Sequence, residues 1–152
     1  MDYNILREEL ARDEYKSLSD QEAADALNAA TVPAVRNVPT REIATWAAAN
    51  GVMTALYMVN LTPDAPIELK AIVQTLLAVL ERLDDWHIVA GVGQPTPAAS
   101  AMMAALMQAG ILDEKQADEL IGMATTYTSR GEQLGLGLVL AGHVQMIRAG
   151  RA

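Results

Sequence analysis

The chain has no cysteine and no phenylalanine among its 152 residues. The first absence excludes disulfides, thiolate metal ligands and thiol nucleophiles, and leaves the redox compartment open. The second, with only two Trp and four Tyr, means that a core must be built from Leu, Ile, Val, Met and Ala. Basic residues are also few, eleven against nineteen acids, for a net charge of −8. Phosphate binding needs a concentration of Lys and Arg, so nucleic acid is disfavoured as the main partner. Only two histidines occur, His87 and His143, far apart and without a second His at ligand spacing. No apolar run is long enough to span a bilayer: the longest, 67–83, is broken by Glu68, Lys70, Gln74, Glu81 and Arg82. The opening Met1-Asp2-Tyr3-Asn4 is acidic and polar, unlike a signal peptide. The expectation is a soluble protein used without secretion and without a membrane partner.

What is present favours helix. Hydrophobic residues make up 51% of the chain, with many Ala and Leu, and both are strong helix formers. The length suits one domain. The fold expected is all-α: a single compact domain over 1–152, with seven or eight short helices around a central Leu/Ile-rich helix at about 66–83. Asp2 caps a helix over 2–12 with Ile5, Leu6 and Leu10 inside, and 13–18 reads as a turn. Ser19 and Glu22 form a capping box for a helix with Ala23, Ala26, Leu27 and Ala30 on one side. Pro33 and Pro39 make 32–38 extended. Thr40 reads as the next cap, with Ile43, Trp46 and Ala47 inward, and Asn50-Gly51 as a break before 52–59. In the long helix, Leu69, Ile72, Val73, Leu76, Leu77, Leu80 and Leu83 recur at three- and four-residue steps. Residues 86–92 read as extended and 91–95 as a turn. Thr96 caps a helix with Pro97 at its first position and Met102, Met103, Leu106 and Met107 inward, stopped by Gly110. Asp113 caps a helix burying Ala117, Leu120, Ile121 and Ala124. A short helix over 129–134 ends at Gly135 and Gly137, and a last one over 142–149 carries Val144 and Ile147. No internal repeat and no low-complexity tail is present.

No arrangement of residues has the form that catalysis requires. Asp84, Asp85 and His87 lie together, but metal sites need three or four convergent ligands, and the cluster reads as a helix end. Asp113 reads as a cap, Glu114 as a partner of the helix dipole, and Asp118 and Glu119 as a solvated face. Gly135-x-Gly137 with Gly142 lacks the Lys-Ser/Thr of a phosphate loop, since His143-Val144 follows. The helix pair 111–124 and 129–136 offers only Arg130 and Gln133 for base edges, too few for a DNA reader. Met102, Met103 and Met107 read as core filling or as a contact for a partner helix. The expectation is no enzyme, no catalytic residues, no cofactor and no metal. Charge is uneven along the chain. Residues 1–25 hold eight acids against three bases, and 126–152 hold Glu132 against Arg130, Arg148 and Arg151. These are two solvated surfaces, or ends that meet in an oligomer.

Several short motifs carry a resemblance. They are Leu6-Arg7-x-Glu9-Leu10, Ser19-Asp20-x-Glu22-Ala23-Ala24-x-x-Leu27-Asn28 and Val38-Pro39-Thr40-x-Glu42-Ile43. Later come Ala109-Gly110-Ile111-Leu112, then Ser129-Arg130-x-Glu132-x-Leu134-Gly135-Leu136-Gly137, and a Val144-containing helix ending in Arg148. In these the chain resembles small proteins of tailed bacteriophages encoded among virion structural genes. It departs at Asp13-Glu14, where Asp-Pro is expected, and at Ser129-Arg130-Gly131-Glu132, where Ser-Arg-Ala-Glu is expected. The resemblance implies a virion structural or assembly protein made in the host bacterial cytoplasm. It would belong to the neck, tail, ejection channel or capsid, and contact copies of itself as a homo-oligomer and other virion proteins. Candidate interaction or structural residues are Ser129, Arg130, Glu132, Leu134, Met102, Met103 and Met107. The alternative is an acidic helical adaptor or regulator that binds a bacterial host protein.

Overall fold

The computed structural model describes residues 1–151, which form ten helices and six short strands. Helix α1 (Tyr3–Leu10) begins where the Asp2 side chain accepts from the amides of Asn4 and Ile5. The segment expected to be a turn holds a one-turn helix, α2 (Asp13–Lys16). Lys16 reaches back 2.6 Å to Asp13 there. Helix α3 (Asp20–Asn28) opens on the Ser19–Glu22 capping box. Its buried side is Ala23, Ala24 and Leu27, whereas Ala26 and Ala30 are exposed. The helix ends at Asn28, so Ala30 is off it, and Ala26 lies about 100° round from Leu27.

The extended segment contains β1 (Val32–Val35) and β2 (Val38–Pro39). In α4 (Thr40–Ala49) the cap position belongs to Pro39, and Thr40 is the first helical residue. Thr40 is buried, and its hydroxyl donates to the carbonyl of Arg82 instead of capping. Gly51, at φ 72°, ends α4 and launches α5 (Val52–Leu61), a turn that favours glycine. Helix α6 (Ile67–Leu80) is the longest described, but it stops before Leu83, which is exposed. The reason lies downstream. β3 (Asp85–Trp86) pairs antiparallel with β2, Val38 opposite Trp86, and the Thr40 amide donates to the Asp84 carbonyl. Those contacts hold 84–86 extended and override the helical period.

β4 (Val89–Gly91) and β5 (Gln94–Pro95) form a hairpin turning at Gly93. Helix α7 (Pro97–Gln108) is capped by Thr96 and α8 (Glu114–Met123) by Asp113, whose partner in a reciprocal box is Gln116. Then follow β6 (Thr125–Thr128), α9 (Arg130–Gln133) and α10 (Ala141–Arg148). β1 and β6 pair as a two-stranded sheet. The chain is thus mostly helical, with three two-stranded sheets among the described residues.

Two compact units result. The first combines Met1–Pro33 with Tyr127–Ala152, and the second is Ala34–Thr126. Each has its own core. Leu6, Leu10, Leu27, Leu136, Val139 and Val144 fill the first. Ile43, Leu56, Val73, Leu77, Val89 and Met103 are among those filling the second. Helix α6 serves the second core, and the first is built without it.

Candidate interaction surfaces

The 129–137 run is architectural. Ser129 accepts from the Glu132 amide and Glu132 accepts from the Ser129 amide, which fixes the single turn of α9. A bond from the Thr128 hydroxyl, 2.6 Å, holds the Glu132 carboxyl below its usual range, assisted by the Ser129 amide. Arg130 forks onto Glu9, Nε to Oε1 at 2.8 Å and Nη2 to Oε2 at 3.0 Å. Glu9 is only 6% exposed and also accepts from Arg12 at 2.9 Å. Arg130 keeps the Glu9 carboxyl below its ordinary value despite burial, with Arg12 adding to the effect. Burial and the Glu9 charge push the neighbouring Tyr15 phenol up to about 12. Gly131 has a packing role. A Cβ there would lie 3.1 Å from the Gly137 carbonyl oxygen and 3.2 Å from that of Leu27. Glycine lets α9 approach both backbones. Leu134 is half-buried against the first core.

Asn28 supplies a feature that sequence reasoning missed. Its side-chain amide donates to the Val139 carbonyl at 2.6 Å and accepts from the Val139 amide at 2.9 Å. It thereby replaces a neighbouring strand for the buried Val139.

In the second unit Met103 is buried and Met102 half-buried, but Met107 is exposed, contrary to its expected inward position. Met107 lies four residues beyond Met103 and one beyond the buried Leu106, at the outer edge of the stripe. Leu120 and Ile121 are half-buried, while Ala117 and Ala124 are enclosed as expected. Met102 and Met103 line an apolar cavity of about 50 Å³ with Trp46, Trp86, Leu56 and Leu76. Trp46 donates its indole N–H to Glu119 at 3.2 Å, so that carboxylate has a local partner.

The acidic candidates do not converge. His87 Nδ1 lies 2.9 Å from the Asn37 side-chain oxygen. Among the described residues no group of three His, Asp or Glu side chains is placed to hold a metal. No described helix is long and apolar enough to cross a membrane.

A second missed feature is the outer face of α5. The sequence Val-Met-Thr-Ala-Leu-Tyr-Met-Val-Asn-Leu has no charged residue. A helix that is apolar all round is normally enclosed, yet only Val52 and Leu56 of α5 are buried. Thr54, Tyr57, Met58 and Leu61, spaced i, i+3, i+4 and i+7, face solvent as one stripe. Ile67, the first residue of α6, is 83% exposed beyond the connecting turn. The signal was legible as a ten-residue helix without a polar side. No protein-family model, curated protein or solved structure matches the chain.

Proposed function

We propose that the chain is a non-enzymatic bacteriophage virion structural or assembly protein, working by helix-mediated contacts with copies of itself and with other virion proteins. The observation that carries the assembly part is the outer stripe of α5, where Met58 and Leu61 are 60% and 73% exposed. Exposed apolar groups clustered on one face favour a protein contact, because burying them releases ordered water. The virion part rests on the motif resemblance, which includes the 129–137 run. That run supports the fold of the first unit, and the contact surface is assigned to the second. Quantitative mass spectrometry of purified particles of the phage that encodes the chain tests the reading. The expected result is a fixed copy number per particle, and repeated absence from particles contradicts it.

A further inference from the structure

We infer that the outer stripe of α5 pairs with the same stripe of a second copy of this chain, in a two-fold contact. This rests on the assembly reading above and names its partner. Burial is the first argument: α5 carries no charged residue on any side, but its own unit covers only one face.

Charge selects the occupant. The chain carries −8, so two copies repel, and a contact that opposes like charges is costly. The stripe of Thr54, Tyr57, Met58 and Leu61 comes from a helix with no Asp, Glu, Lys or Arg. Helix α5 itself therefore brings no carboxylate into such a contact. A partner chosen by opposite charge would find nothing on that helix to pair with.

Area is the third argument. Tyr57, Met58 and Leu61 are 47%, 60% and 73% exposed. At ~200 Å² for a large side chain, these leave roughly 350 Å² of largely apolar surface per copy. A symmetric pairing of the stripe alone would then remove about 700 Å², the size of a weak contact below the roughly 1,200 Å² of stable interfaces, and flanking residues add to it. Two-fold dimers are the commonest closed assemblies, and each uses one patch against itself. Spacing of i, i+3, i+4 and i+7 lets two helices interdigitate, with Tyr57 and Met58 at the crossing.

The absence of cysteine gives a clean test. A single Met58→Cys variant should cross-link to itself under mild oxidation, because a disulfide needs Cα atoms within about 7 Å. Leu83→Cys, at another exposed site, is the control. In sedimentation velocity at about 100 µM, where a weak interface of this size should associate, the wild-type chain should run at twice its mass. Met58→Asp and Leu61→Asp should return it to the single-chain mass with an unchanged far-UV spectrum, since neither side chain is in a core. A wild-type protein at single-chain mass overturns the inference. So does a dimer that Met58→Asp leaves intact, or cross-linking of Met58→Cys no faster than of Leu83→Cys. A dimer that is absent from virions removes the virion role and leaves this contact standing. A monomer found in virions does the reverse.

Discussion

Replacing Glu9 by Gln tests how the first unit is held together. Glu9 sits on α1 and accepts both nitrogens of the Arg130 fork from α9, across 121 residues of sequence. It is 6% exposed, whereas Arg130 is 33% exposed. Removing one member of a buried ion pair costs about 3–5 kcal/mol. Two features lower that figure here. Gln keeps the shape and one acceptor, and Arg130 remains partly hydrated, so the expected loss is ~2 kcal/mol. Arg130→Met should cost a similar amount, and the double variant should fall short of the sum by ~1–2 kcal/mol. Urea unfolding followed by far-UV circular dichroism measures all three. Trp46 and Trp86 lie in the second unit, so tryptophan fluorescence reports separately whether that unit follows. The pH dependence has a definite sign. Arg130 chiefly lowers the folded carboxyl of Glu9 below its ordinary value of 4.5. The stabilisation is therefore complete above 4.5 and is lost as pH falls through the lowered folded value. The gap between wild type and Glu9→Gln should shrink over that acidic range. A gap below ~0.5 kcal/mol at pH 7, within the range of ordinary surface substitutions, refutes the reasoning. A gap that does not change on acidification refutes it too.

Three further substitutions probe the fold. Gly131→Ala should destabilise by ~1–2 kcal/mol despite alanine's better helix propensity, because its Cβ meets two backbone oxygens; urea midpoints decide the sign. Asn28→Ala removes both bonds to Val139 and should cost ~2 kcal/mol, measured by circular dichroism. Thr40→Val keeps the shape but leaves the Arg82 carbonyl without its hydroxyl donor, and should cost ~1–2 kcal/mol on tryptophan fluorescence.

Local signals in the sequence were reliable where the physics is local. Asp2, Ser19, Thr96 and Asp113 all cap as expected, because a cap needs only the next three residues. Gly51 ends α4 as expected, for the same reason. Long-range pairing was not legible. Thr40 has the right residue type for a cap, but the Arg82 carbonyl 42 residues away takes its hydroxyl. Leu83 continues the α6 period, but the pairing of Asp85 and Trp86 with β2 stops the helix first. The Glu9–Arg130 fork and the Asn28–Val139 bonds join segments more than 100 residues apart, and no periodicity encodes them. The candidate contact face was half visible. Apolar residues all round α5 can be read from the sequence, but which side stays uncovered depends on how α4 and α6 pack against it.

The proposed virion role puts the most direct test of assembly through an apolar helix face in the phage that this role implies. Met58→Asp and Leu61→Asp, introduced together into the gene there, alter two exposed side chains on α5 and leave both cores untouched. The expected result is a folded, soluble protein, a sharp fall in infectious particles, and its loss from those that form. Normal particle yield with the doubly substituted protein incorporated at the wild-type copy number would contradict the account.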